Sequence, residues 1–310
     1  MGPTLFLIYI NDLYKIGVRA KITSFADDTS ILFQSKNVND LYSIVNKDLN
    51  LVLDWFISNK LCVNTDKSNY IIFTSAHKEK YINKIIEKDN LSVFMGGIQM
   101  ARCFNIKYLG IYIDSVLSYK SHIDHVIDIT AKHISILMKL RYYVPLNLLL
   151  SYYYAHIQSH IHYGIEIYAL TSKSNLHIIN SIVNKSVQII TFTNYMDHIS
   201  PVRKKLKIPN IEELLFRSIA DKMFRIVRCI GHVHNVIHFD TVNESRSLRS
   251  SAGSIKFKHK KIRTNIGKNS FDFIGCKIWN FIPEEYKVAV DSYSVFKYHM
   301  KRTIDWSKCK

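Results

Sequence analysis

The spacing of apolar positions changes character near residue 118, and the change divides the chain into elements. Pro3 leads into the apolar run Thr4–Leu13, and proline suits the first turn of a helix, where its missing N–H costs nothing. The chain therefore opens on the lip of an apolar helix with no preceding element to pack it, which reads as a cut end. Two short strand-forming runs follow, Ile22–Phe25 and Thr29–Phe33. Ala26, Asp27 and Asp28 between them predict a hairpin. Asn39 stands where a cap belongs, ahead of Leu41, Ile44, Val45, Leu49, Val52, Leu53 and Phe56, whose steps of three and four predict an amphipathic helix. Asn69–Phe73 reads as a further strand, and residues 91–114 as a β region with a Gly96-Gly97 turn and a strand from Tyr108 to Ile113.

From about Ser121 the period turns helical. Helices are predicted near 121–143, stopping before Pro145, then at 146–169, 174–192 and 210–230, with short polar or proline-marked links. No internal repeat is present. The expected class is α+β, divided into a β-rich front (1–118), a helical middle (119–235) and a basic tail (236–310).

Composition sharpens this picture. The 310 residues are 47% hydrophobic and 22% charged, enough apolar material for a core and too much for wholesale disorder. Only 10 glycines are present, and no glycine-rich phosphate loop appears among them. The net charge of +17 is uneven: residues 1–114 carry 13 Lys/Arg against 11 Asp/Glu, and residues 115–310 carry 29 against 14. Such one-sided charge points to a polyanionic partner, nucleic acid before membrane surface. Between Ser245 and Phe271 lie Arg246, Arg249, Lys256, Lys258, Lys260, Lys261, Arg263 and Lys268, with no acidic residue. Phe257, His259, Phe271 and Phe273 alternate with them, so phosphates could meet cations and bases could meet rings; a basic linker is the plainer reading. The five cysteines form no CxxC pair and read as buried free thiols of a reducing compartment. No signal peptide is visible, and no apolar run approaches the roughly 18 residues that a membrane span needs.

The candidate chemistry centres on Phe25-Ala26-Asp27-Asp28. Two adjacent carboxylates on a rigid turn repel unless a cation compensates them, and Mg²⁺ favours one or two carboxylates with waters and phosphates. Alone, the pair reads first as an ordinary surface turn. Two histidines at helical spacing, His156 and His160, with His162 nearby, read as packing or surface residues rather than a zinc pair. Arg203-Lys204-Lys205-Leu206-Lys207 reads as a solvated turn, a phosphate contact or a nuclear import signal.

The order of motifs adds more. Gly2-Pro3-Thr4-Leu5-Phe6-Leu7-Ile8-Tyr9-Ile10-Asn11-Asp12-Leu13, then Phe25-Ala26-Asp27-Asp28-Thr29, resembles the reverse transcriptases of non-LTR (LINE-type, jockey-like) retrotransposons. Trp55 and the segment Asn64–Phe73 with Lys67, the primer-grip-like Lys107-Tyr108-Leu109-Gly110, the stretch Ser159–Gly164, and Trp279-Asn280-Phe281-Ile282-Pro283 follow in the family's order. The resemblance implies a partial palm of antiparallel sheet and helices, a helical thumb and a basic tail. It implies RNA-directed DNA polymerisation with Mg²⁺ or Mn²⁺, on an RNA template and a DNA primer or target, with deoxynucleoside triphosphates as substrate. It assigns Asp27 as metal ligand with Asp28 beside it, and Lys67 to the triphosphate or leaving pyrophosphate. Gly2, Pro3, Phe6, Phe25 and Ala26 fall near template and incoming nucleotide, and Tyr108, Leu109 and Gly110 at the primer.

The family's second essential aspartate, its basic fingers and its Gln-Gly-Ser lead-in lie upstream and are absent here. The expectation is a fragment, inactive alone and poorly soluble, with its site inside the cell, in nucleus or cytoplasm, and no membrane attachment. A non-catalytic nucleic-acid-binding remnant, and a pseudogene piece without function, stand as alternatives.

Overall fold

The computed structural model describes residues 2–170, 173–194, 196–228, 256–258, 261–288, 293–302, 304 and 306. Helices and small sheets are mixed, as an α+β chain requires, and the chain divides into two units, Met1–Leu117 and Ser118–Lys310.

In the first unit, helix α1 (Gly2–Ile10) and a 3₁₀ turn (Asn11–Lys15) lead into β1 (Lys21–Phe25) and β2 (Asp28–Leu32). Helix α2 (Val38–Ser58) is capped by Asn37 rather than Asn39: the Asn37 side chain accepts from the Asn39 N–H at 3.0 Å. Two small cores grow along one face of α2, against its C-terminal and its N-terminal half. Val52, with the partly buried Leu53 and Phe56, packs with Ile10, Leu13, Met95, Phe6, Ile22 and Ile31. Tyr42 and Leu49 pack with Ile86 and Val93.

The expected strand Asn69–Phe73 shortens to β3 (Asn69–Tyr70). It is followed by helix α3 (Ala76–Lys88), which has no counterpart among the expected elements because its lysines dilute the apolar stripe to Ile82, Ile86 and their neighbours. The hairpin of β4 (Phe94–Met95) and β5 (Ile98–Gln99) turns at Gly96-Gly97. Gly96 has φ +59, and a Cβ there would stand 2.6 Å from Leu53 Cδ2, so both backbone and packing demand glycine. Strand β6 (Ala101–Arg102) runs parallel to β3. Strands β7 (Asn105–Tyr108) and β8 (Ile111–Asp114) form a third tight hairpin. Tyr108 to Ile113 is therefore not one strand: the chain reverses at Leu109-Gly110.

The second unit is helical around one large core. Helix α4 (Lys120–Leu140) packs against α8 (Lys173–Thr191). The expected continuous helix over 146–169 is broken into α5 (Leu146–Tyr153), a π-helical turn (Tyr154–Gln158), α6 (Ser159–His162) and α7 (Ile165–Tyr168). The break falls at Gly164, φ +66, and the Tyr168 hydroxyl donates back across it to the Ile161 carbonyl. Helices α9 (Ile199–Lys205) and α10 (Ile211–Val227) follow, the latter opened by a capping box between Asn210 and Glu213. Arg203 is buried and donates to Asn184 Oδ1 at 3.2 Å, so one cation of the expected surface cluster belongs to the interior.

Short α11 (Asn265–Lys268), α12 (Phe271–Phe281), α13 (Glu284–Val288) and α14 (Tyr293–Arg302) close the unit. Trp279, Phe296, Met300 and Trp306 join its core. Cys276 is buried and Cys103 half-buried, but Cys62 is exposed, contrary to the expectation of buried thiols. No helix among the described residues is long and apolar enough to cross a membrane.

Candidate active site and nucleic-acid interface

The carboxylate turn is built by its own strands. Register pairs Ile22 with Ile31, Ser24 with Thr29 and Phe25 with Asp28, which leaves Ala26-Asp27 as a two-residue connection. Ala26 has φ +52, in the left-handed region that a tight hairpin needs at this place. Alternation along the strands sends Ile22 and Ile31 into the small core and Asp28, Ser30 and Phe25 to the other face. Asp27 and Asp28 are exposed, and Phe25 beside them is 63% exposed. Neither carboxylate has a hydrogen bond or ion pair among the described residues, so both are free to meet a cation.

The β7–β8 hairpin reaches the same face. Ser30 Oγ and the Tyr108 hydroxyl share a hydrogen bond at 3.2 Å. Tyr108 pairs with Ile111 across Leu109 (φ +47) and Gly110 (φ +82), a turn with two left-handed residues in succession. Tyr-Leu-Gly is thus a reversal whose ring is carried to the carboxylate hairpin two residues from Asp28. Ser30 belongs to this arrangement and no motif pointed to it; only its outward register and a strand-distant partner mark it.

The other candidates stand apart from that contact. Phe6 packs on the core that also backs Ile22 and Ile31, whereas Gly2 and Pro3 are exposed on the first turn of α1. Lys67 is exposed on the turn entering β3, where its N–H donates to Asn64 Oδ1 at 3.2 Å. No group of three or more His, Cys, Asp or Glu among the described residues is arranged to hold a metal ion. Asp27 and Asp28 offer two adjacent exposed carboxylates, and such a pair suits Mg²⁺, which keeps most of its waters.

In the basic tail the outcome is mixed. Arg246, Arg249, His259 and Lys260 lie outside the described residues. Lys258, Lys261, Arg263 and Lys268 are exposed. Lys256 pairs with Glu284 at 3.3 Å, so this cation is already met. Phe257 is not a ring offered to bases: it is buried beside Trp279, and Asn280 holds its backbone from both sides, accepting from the Phe257 N–H at 3.0 Å and donating to its carbonyl at 2.8 Å. The Trp-Asn pair of the C-terminal motif is therefore a clamp that seats residue 257 in the core.

His156 and His160 each stack on His133 of α4, at 5.1 and 5.7 Å between ring centres, and His133 Nδ1 lies 3.0 Å from the Tyr152 hydroxyl. Stacked rings turn their nitrogens away from a common point, which is packing geometry and not a metal site. Burial, then the neighbouring His156 and His160, push the His133 pKa down.

An α+β chain with an exposed carboxylate hairpin braced by a second tight turn is the frame in which the sequence comparisons fall, and these point to RNA-directed DNA polymerases of transposable elements. The chain is 21% identical over 232 residues to the RNA-directed DNA polymerase from mobile element jockey of Drosophila funebris, covering 72% of this chain and 24% of that protein. It is 22% identical over 232 residues to the jockey polymerase of Drosophila melanogaster, again 72% and 24%. The Probable RNA-directed DNA polymerase from transposon X-element of Drosophila melanogaster matches at 22% over 219 residues, 68% of this chain and 23% of that protein. The resemblance to non-LTR retrotransposon reverse transcriptases drawn from the motifs thus holds, and the chain spans about a quarter of the length of the curated relatives it matches. No family model matches the chain. No solved structure matches it.

Proposed function

We propose that this chain carries the catalytic-turn half of a reverse-transcriptase palm, the thumb and the C-terminal basic region of an RNA-directed DNA polymerase. In this reading residues 1–118 contribute to the palm, 119–235 form the thumb and 236–310 contact nucleic acid. The observation that carries it is the hydrogen bond between Ser30 and Tyr108, which joins the two family motifs expected to meet at the primer terminus. Similarity to the jockey and X-element polymerases supports the same reading.

Asp27, with Asp28 beside it, would hold a divalent ion of the Mg²⁺ type. Bound there, the ion supplies charge for the attacking and leaving oxygens of nucleotidyl transfer. The exposed turn leaves both carboxylates room for such an ion and for a triphosphate. Tyr108-Leu109-Gly110 sets the primer strand against the same face, so its 3′-hydroxyl would approach the α-phosphate while pyrophosphate leaves. Lys67 provides a point charge for the triphosphate. Lys258, Lys261, Arg263 and Lys268 neutralise template or primer phosphates and make binding salt-dependent. In-line transfer also calls on an aspartate that the family carries on another strand, so this chain alone is expected not to extend a primer. Action inside the cell, in nucleus or cytoplasm, follows from the same reading.

The test is primer extension on an RNA template with Mg²⁺, using this chain joined behind the upstream polymerase region of a jockey relative. Extension is expected with the native turn and is lost with Asp27→Ala. Unchanged extension by Asp27→Ala would sink the assignment.

A further inference from the structure

The C-terminal ends of α4 and α8 meet in an aromatic and cationic cluster that the catalytic reading does not use. Arg141, the residue closing α4, lays its guanidinium 3.6 Å over the ring of Phe192, the first residue beyond α8. The same guanidinium is 5.3 Å from the Tyr142 ring, and Tyr142 meets Phe192 edge to face at 5.6 Å. Phe192 has φ +57, a conformation that favours glycine after a helix, so a bulky aromatic is held there against its backbone preference. Its ring is nonetheless 52% exposed, and Tyr142 and Tyr143 are 72% and 85% exposed. A purely structural clamp would bury these rings.

The electrostatics of this face are one-sided. From Ile129 to Met196 the sequence contains a single carboxylate, Glu166, against Lys132, Lys139, Arg141, Lys173 and Lys185. Glu166 is buried and pairs with Lys222, so none of its charge reaches the surface formed by the end of α4, by α5–α7 and by α8. Arg141 is half-buried, its Nε has no hydrogen-bond partner, and no carboxylate among the described residues pairs with it. The nearest acid in the chain beyond Phe192, Asp197, is exposed and accepts from the Asn194 N–H at 2.9 Å, and it makes no ion pair with Arg141. A cation without an anion, set among exposed rings, selects a partner that brings both phosphates and aromatic faces.

We propose that Arg141, Tyr142 and Phe192 form a stacking platform for single-stranded nucleic acid, with Arg141 taking a phosphate and the exposed Tyr142 ring taking a base. A duplex offers phosphates but keeps its bases stacked on one another, so the platform prefers single strands. It lies in the helical unit and does not depend on Asp27 or Asp28.

The experiment is fluorescence anisotropy with the full chain, a labelled uridine-rich RNA of about 20 nucleotides, and a duplex of equal length, since stacking sites of this kind span on the order of ten nucleotides. Tyr142→Ala is expected to weaken single-strand binding about tenfold while Tyr142→Phe stays within about twofold of the native chain. Arg141→Gln is expected to weaken binding and to lower the slope of log affinity against log salt by about 1. Tyr142 is exposed, so its variants should melt with the native chain, and melting by circular dichroism verifies this. Native affinity for single strands in Tyr142→Ala overturns the proposal, as does an equal loss for duplex and single strand, which would reduce the face to its charge. Failure of the native chain to bind any single strand, with or without capture of an acidic protein instead, overturns it as well. The readout is binding and not synthesis, so the result stands whatever becomes of the catalytic assignment.

Discussion

Ser30 Oγ and the Tyr108 hydroxyl lie 3.2 Å apart and join two hairpins that are 78 residues apart in the chain. Each hairpin alone is a two-stranded ribbon of marginal stability. A double-mutant cycle of Ser30→Ala and Tyr108→Phe by urea denaturation should return a coupling of about 0.5–1.5 kcal/mol. Strictly additive losses would show that the hairpins do not brace one another.

Ala26 sits at φ +52 in the carboxylate turn. A left-handed backbone costs a non-glycine residue roughly 1–2 kcal/mol, and glycine relieves it while losing more entropy on folding. Ala26→Gly is therefore expected to be neutral or to stabilise by up to about 1 kcal/mol, read from the midpoint of chemical unfolding. A loss of more than about 1 kcal/mol would mean that the alanine methyl is needed for packing.

Asn280 makes both hydrogen bonds to the backbone of Phe257. Asn280→Ala strips a buried N–H and a carbonyl of their partners, which should cost about 2–3 kcal/mol. Asn280→Asp keeps the accepting oxygen and loses the donor, so it should fall between the two. Equal stability of all three chains would refute the clamp.

His122 is buried, both its ring nitrogens lack partners, and its edge meets the Tyr168 ring at 4.8 Å. Burial, aided by nearby His125, lowers its pKa to about 4. The unfolded chain binds this proton near pH 6.5, the folded chain only near 4, so the unfolded state holds more protons between them. Stability is present in full above about pH 6.5 and declines as pH falls through that window. Thermal melts of the native chain from pH 7 to 4 should show the decline, and His122→Phe should flatten it. A native-like slope in His122→Phe would assign the acid lability elsewhere.

Much of the architecture was legible from spacing. Apolar steps of three and four located α2, α4, α8 and α10, because each buries one stripe of a long helix. The carboxylate turn was legible too, since strand formers around Ala26-Asp27 leave the chain little but a hairpin. Elsewhere local pattern and global packing diverge. α3 hides among lysines, and the helix over 146–169 breaks where Gly164 turns left-handed and Tyr168 folds back. Phe257 looked like a ring for bases because it alternates with lysines, yet Asn280 and Trp279 draw it inside.

By itself the sequence determined the α+β class, the uneven charge, the Asp27-Asp28 turn and the resemblance to non-LTR reverse transcriptases. These are properties of neighbouring residues or of motif order, and neighbours constrain one another through local backbone sterics. Only the tertiary structure decided that Ser30 meets Tyr108, that Lys256 is met by Glu284, and that Arg141 lies over Phe192. Each of these joins residues far apart in sequence, and which distant groups come within bonding distance depends on how the elements pack, a balance of burial and hydrogen bonding that no local pattern encodes.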